Sequence, residues 1–369
     1  MGSSMMRDER AWAILLLLLA ALVPLVAPML GSPATVALAT RIAIYAIAAS
    51  SLNLLLGGGG LISFGHAAYY GLGGYVVGIL YAHYASGEPF LGIVPGSNDL
   101  LVTLPLAILV GGLGALVIGA LSLRTAGVQF IMITLAFAQM LFFLFVSLKP
   151  YGGDDGLALR RLAPVLGMNL RDPATLYWLC LGLLAAWLFV MDRVARSRFG
   201  RVLAGIRQGE RRMAAIGVRT YPYKLVAFVI AGMGAAMAGA LMVTQARFVS
   251  PDMMHWTKSG ELMVMVILGG LGTLVGPALG AAVLVTMEYT LSGLTEHWQF
   301  IEGPILVLIV LFARGGLMGA LRRLTGMRSR QPSALPAGEL PPGRLGPADM
   351  DAPDLPPQAA LRPGAAPHA

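Results

Sequence analysis

The residues best equipped for chemistry are isolated polar side chains set in long apolar stretches: Asn53, Ser63, His66, Thr134, Gln139, Gln245, Glu261 and Glu288. At bilayer depth such groups face a bundle interior or a water-filled cavity and mark solute or ion pathways. Their chemistry is transient hydrogen bonding to a passing polar solute. An intramembrane enzyme needs a nucleophile and base, or metal ligands, in one plane, and His66 with Glu261 is too little for that. His66 reads first as a hydrogen-bond partner between helices and second as a solute contact. Glu261 and Glu288 read as carboxylates near span ends, and Gln245 as nearly in a loop. Arg41 reads as lying near the outer end of its span, where it would snorkel. The ionisable residues are too scattered for the proton relay of an ion-coupled transporter. The single cysteine, Cys180, supports neither a disulfide framework nor a thiolate metal site.

Glycines mark where helices must break. Residues 53–75 carry four consecutive glycines followed by serine, histidine and tyrosines, and residues 268–280 carry Gly269, Gly270, Gly272, Gly276 and Pro277. The two stretches match loosely, and paired Gly/Pro-interrupted segments in two halves of a chain point to a transporter's path. Close packing through small residues accounts for the glycines equally well. The break positions are Gly58, Gly59, Gly60 and Gly65 in the first half and Gly269, Gly270, Gly272 and Gly276 in the second. The expected path lining is Asn53, Ser63, His66, Tyr69, Thr134, Gln139 and Thr273.

The elements that must position these residues are membrane helices. With 57% hydrophobic and 12% charged residues in 369, the chain departs far from soluble composition. Apolar runs of roughly 20 residues fall at 11–30, 35–56, 61–85, 100–123, 126–148, 174–192, 223–245, 257–272, 275–294 and 301–314. Residues 257–294 read as two short spans or one re-entrant pair. The fold class is therefore an all-α, polytopic helical membrane protein of 8 to 10 transmembrane helices, with glycine-interrupted helices in two pseudo-repeated halves. Arginines between 193 and 222 and after 314 place both regions in the cytoplasm by the positive-inside rule. Both termini are then cytoplasmic, and 86–99 and 149–173 face outward. The expected organisation is a cytoplasmic N-terminus at 1–10, a transmembrane domain at 11–320 whose first span is an uncleaved anchor, and a basic, Pro-rich disordered tail at 321–369. Basic residues form no single long run, so nucleic acid is not an expected partner.

The loop 193–222 is patterned. Phe199, Val202, Leu203 and Ile206 form one apolar face at helical spacing, with arginines around it. Glu210 opens a second short helical stretch that Gly217 caps. Two amphipathic helices of this kind rest on membrane lipid or fit a groove on a cytoplasmic partner, at even odds from composition.

Taken in order, several segments from about 45 to 320 resemble the permease subunits of bacterial branched-chain amino acid ABC importers, the LivM-type more than the LivH-type. They include Ser51-Leu52-Asn53-Leu54, the run from Leu61 to Tyr75, Phe130-Ile131-Met132-Ile133-Thr134-Leu135-Ala136-Phe137, Gly152-Gly153-Asp154-Asp155-Gly156-Leu157, Ser197-Arg198-Phe199-Gly200-Arg201, and the run from Val266 to Pro277. The resemblance implies alternating-access import of branched-chain amino acids across the bacterial cytoplasmic (inner) membrane. The same superfamily architecture would also serve urea, amides or other small solutes. It implies that Phe199, Arg201, Leu203, Arg207, Glu210, Ala214, Ala215 and Gly217 belong to an ATPase-coupling loop, although Arg212 and Met213 stand where small residues are usual. The implied partners are two cytoplasmic ABC ATPase subunits, a second, LivH-type permease and a periplasmic or extracellular amino-acid-binding protein. No phosphate-binding loop occurs in this chain, so the implied ATP and magnesium belong to the ATPases. The chain is expected to be a transport subunit and not an enzyme, without a cofactor or metal of its own.

Overall fold

The computed structural model describes residues 3–26, 33–89, 95–160, 172–295, 297–312 and 315–324. Residues 161–171 of the expected outward loop at 149–173 and nearly all of the tail at 321–369 lie outside these residues. The described chain is helical apart from one two-residue strand pair. The helices are α1 (Ser3–Val26), α2 (Pro33–Asn53), α3 (His66–Ser86), α4 (Leu100–Ser122), α5 (Val128–Ser147), α6 (Pro173–Arg196), α7 (Arg198–Gln208), α8 (Glu210–Ala215), α9 (Thr220–Ala246), α10 (Trp256–Gly269), α11 (Gly276–Ser292), α12 (Trp298–Phe312) and α13 (Gly316–Leu324). Strands β1 (Leu157–Ala158) and β2 (Phe248–Val249) pair antiparallel, with Leu157 opposite Val249.

Local chemistry fixes several helix starts. The Asp99 carboxylate accepts from the Leu101 N–H at 3.0 Å and opens α4. Asp172 accepts from Ala174 and Thr175 at the head of α6, where Pro173 has no N–H to leave unpaired. The Ser197 hydroxyl accepts from the Gly200 N–H and separates α7 from α6.

Among the described residues five helical stretches are long and apolar enough to cross a membrane: Ala34–Gly59, Leu100–Ser122, Val128–Ser147, Pro173–Arg196 and Thr220–Ala246. Two of them form the centre. In their apolar windows Ala34–Gly59 is 83% and Thr220–Ala246 is 72% buried, against 22% for Val128–Ser147. The central pair is rich in alanine and glycine, so neighbouring backbones approach closely. A Cβ on Gly239 of α9 would lie 1.7 Å from the Tyr70 carbonyl oxygen of α3. The outer helices α4 and α5 turn Leu109, Leu113, Val117, Met132, Met140 and Phe143 outward. Side chains of this size standing exposed around a helical bundle fit lipid and not water.

Within the described residues a helix overlaps each of the ten apolar runs, only five being membrane-length by composition, and two runs differ in detail. Residues 257–294 contain two helices, α10 of 14 residues and α11 of 17. They run antiparallel, since Gly269 lies against Gly276 and Gly280 against Met265. The expected span 61–85 begins late, at His66. Its first residues are extended because α2 passes into a π-helical turn, Leu54–Gly59, that Gly60 ends at φ 67°.

Candidate functional site

The helix break after α2 is the first centre of the site. A π turn loosens the backbone ladder, so carbonyls and amides need partners from elsewhere. Asn53 supplies two of them. Its Nδ2 donates to the Thr273 carbonyl at 2.8 Å, and its Oδ1 accepts from the Gly272 N–H at 2.9 Å. The two glycine-rich stretches, 219 residues apart at this contact, thus form one clasp. No side chain fits within it: a Cβ on Gly57 would stand 2.4 Å from the Gly272 nitrogen. Gly272 itself adopts φ 76°, a region L-residues rarely enter. Thr273 closes the α10–α11 turn, its hydroxyl donating to the Gly270 carbonyl and accepting from the Gly276 N–H. Asn53, Gly57, Gly58, Gly272 and Thr273 line a cavity of about 160 Å³ with Asp192 and Arg196 of α6.

A second centre lies where the extended segment enters α3. The Ser259 hydroxyl of α10 donates to the Phe64 carbonyl at 2.6 Å and accepts from the Ala67 N–H at 2.8 Å. Thr134 of α5 accepts from the Phe64 N–H, and Ser63 from the Gly65 N–H. The Ser51 hydroxyl donates to the Ala48 carbonyl, so at the 3.1 Å contact His66 Nε2 is the donor and Ser51 the acceptor. Ser63, His66, Tyr69 and Thr134 are fully buried. The expectation that His66 bonds between helices fits this placement. Gln139 lies more than a turn further along α5 and is partly exposed.

The basic loop is the third centre. Its two helices, α7 and α8, occupy the two stretches that the periodicity predicts, and Leu203 and Ile206 are buried. Leu203 packs on Gly58 and Gly59, and Arg207 Nη1 donates to the Gly57 carbonyl. The loop is therefore bonded directly to the helix break. Phe199 stacks on Tyr223 of α9. Glu210 forms an ion pair with Lys224 of α9 and accepts from the Thr220 hydroxyl at 2.8 Å. Partial burial raises the Glu210 pKa, but the bonds from Lys224 and Thr220 and the charge of Lys224 outweigh it, so the carboxyl titrates below its usual range. Arg201, Ala214 and Ala215 lie on these helices with exposed side chains, and Gly217 follows α8 at φ 85°.

Sequence reading missed a charged cluster. Arg41 has a specific partner: its Nη2 donates to both carboxylate oxygens of Glu288 on α11, at 3.1 and 3.2 Å. Lys258 pairs with Glu261 at 2.6 Å and donates to the Tyr45 hydroxyl at 3.3 Å. The carboxylates expected near span ends are thus held by cations, and ionisable groups that looked scattered are gathered. The available signal was Lys258, one of only three lysines, three residues before Glu261 at the head of an apolar helix. Ser51 and Ser259, which hold the second centre, carried no comparable signal. Among the described residues no group of three or more potential metal ligands occurs.

Residues 34–313 match the family model described as branched-chain amino acid transport system / permease component. The chain is 27% identical over 341 residues to the high-affinity branched-chain amino acid transport system permease protein LivM of Salmonella typhimurium, covering 86% of this chain and 77% of the relative. LivM of Escherichia coli is 27% identical over 332 residues, 83% of this chain and 75% of the relative. The autoinducer 2 import system permease protein LsrC of Photorhabdus luminescens is 28% identical over 183 residues, 46% of this chain and 52% of the relative. No solved structure gives a significant match.

Proposed function

The chain belongs to the branched-chain amino acid transport permease family and is a membrane-embedded permease subunit of that class of ABC importer, and we propose that its cargo is the branched-chain amino acids. Import is by alternating access, driven by ATP bound with magnesium on two cytoplasmic ATPase subunits. A LivH-type permease completes the membrane domain, and an external binding protein delivers the amino acid. In this reading the chain crosses the bacterial cytoplasmic membrane eight to ten times in two pseudo-repeated halves, with both termini and α7–α8 inside.

The observation that carries the mechanism is the bond from Arg207 to the Gly57 carbonyl. An ATPase that moves α7 thereby moves the break in α2, and through Asn53 the turn between α10 and α11. The coupling is a difference in ATPase affinity between outward- and inward-open arrangements of the clasp. The polar side chains Asn53, Ser63, His66, Tyr69, Thr134, Gln139 and Thr273 supply the path. A second cargo reading, urea, an amide or another small solute, draws on the LsrC relatives, whose name states import of autoinducer 2.

The test is uptake of labelled leucine by cells lacking the gene, with and without its restoration, competed by isoleucine, valine and urea and repeated after ATP depletion. Restored, ATP-dependent uptake blocked by the aliphatic competitors is expected. Restored uptake of another solute would change the cargo alone. Uptake that survives ATP depletion and collapses with the ion gradient would defeat the reading as a whole.

A further inference from the structure

Stability alone is a weak reason for a charged cluster in an apolar bundle. Paired ions taken out of water are often no more stabilising than well-packed apolar residues of similar volume, and ionisable groups within membrane helices mark function by default. Here they come from four helices: Arg41 of α2, Lys258 and Glu261 of α10, Glu288 of α11, and Glu302 of α12, which lies within electrostatic reach of Glu288 and Glu261. One aromatic ring ties the cations together. The Arg41 guanidinium lies 5.7 Å and the Lys258 ammonium 5.8 Å from the Tyr45 ring centre, and Tyr45 stacks on Tyr70.

Two features make the cluster incomplete. Beside the ion pairs Arg41–Glu288 and Lys258–Glu261 stands a third carboxyl group, Glu302, which forms no ion pair among the described residues. Two buried atoms also lack a hydrogen-bond partner, the acceptor Glu261 Oε1 and the donor Arg41 Nε. The side chains of Arg41, Glu288, Lys258 and Glu261 keep 22–33% of their surface exposed, so each can be reached from outside the bundle. An open carboxylate acceptor beside a carboxyl group without an ion pair suits an ammonium group, and an open guanidinium N–H suits a carboxylate. An uncharged solute such as urea could hydrogen-bond to both atoms but would bring no charge to oppose theirs.

We propose that Arg41, Lys258, Glu261, Glu288 and Glu302 form a recognition site for the zwitterionic head of an amino acid, with Glu261 and Glu302 receiving the ammonium and Arg41 the carboxylate. This rests on the amino acid cargo proposed above and extends it, by placing selection for charge within the permease.

The test is saturation-transfer NMR on the complete transporter in nanodiscs, with leucine, isocaproate (no ammonium), isopentylamine (no carboxylate) and urea as probes. Leucine is expected to bind, each single-charge analogue to bind about tenfold more weakly or worse, and urea not at all. In Glu261→Gln, leucine should bind no better than isocaproate; in Arg41→Gln, no better than isopentylamine. Glu302→Gln breaks neither ion pair and serves where those variants fail to assemble. It should weaken leucine and isopentylamine while leaving isocaproate unchanged. Isopentylamine binding as well as leucine would mark a plain cation site and overturn the proposal, as would equal binding of all four probes or of none. Leucine import in the parallel uptake assay separates the two readings. Import without the charge pattern removes the site and keeps the cargo, the pattern without import does the reverse, and absence of both removes both.

Discussion

The glycine clasp and the charged cluster place polar groups inside apolar protein by opposite means. At the clasp the groups are backbone amides and carbonyls freed by a π turn and a left-handed glycine, and one neutral side chain, Asn53, satisfies two of them. At the cluster the groups are full charges, and satisfying them takes opposite charges, across α2 and α11 for Arg41–Glu288 and within α10 for Lys258–Glu261. The clasp is therefore sensitive to volume and to lost hydrogen bonds, and the cluster to charge balance. A bonded, close-packed contact suits transmission of movement, whereas an open set of charges suits exchange of a ligand for an internal partner.

The largest effect should come from filling the clasp. Gly57→Val drives a side chain into the Gly272 backbone and should cost about 3 kcal/mol or more, read as a large fall in thermal midpoint in detergent. Gly182→Ala in α6, where a Cβ meets nothing within 4 Å, should leave the midpoint unchanged or slightly raised. Equal effects of the two would mean that the clasp is not tightly closed.

Asn53→Leu keeps the space filled but strips the Gly272 N–H and the Thr273 carbonyl of their partner, at about 2 kcal/mol. A loss well under that in the same melt would show that water replaces Asn53, and the contrast with the cluster would weaken. At the cluster, Lys258→Met and Glu261→Gln should each destabilise alone, while the double variant loses less than their sum by about 1 kcal/mol. Strict additivity in that cycle would show the pair to be uncoupled.

The smallest effect concerns the loop bonded to the clasp. Glu210 titrates low in the folded protein, so its contribution is present above the ordinary carboxylate range and is lost as pH falls through its lowered value. The pair with Lys224 is half exposed on the Glu210 side and is worth about 0.5 kcal/mol. Protease protection of α8 should weaken on acidification in the wild type, and Glu210→Gln should flatten that response. An unchanged acid response in Glu210→Gln would place the sensitivity elsewhere.

Local pattern determined much of this protein. Apolar runs marked every helix expected to lie in the bilayer, the spacing of Phe199, Val202, Leu203 and Ile206 marked α7, and the glycines marked both breaks, because each signal depends on neighbours within a few residues. Family membership was legible in the same way, as motifs in order. What no local pattern carries is which distant groups meet. That Asn53 bonds to Gly272 and Thr273, that Arg207 reaches the Gly57 carbonyl, and that Arg41 finds Glu288 247 residues away were decided by packing alone. In an apolar interior a lone polar group is costly, so each must find a partner. A sequence announces that need at Arg41, Lys258 and Glu261, but only the three-dimensional arrangement of the helices selects who answers it.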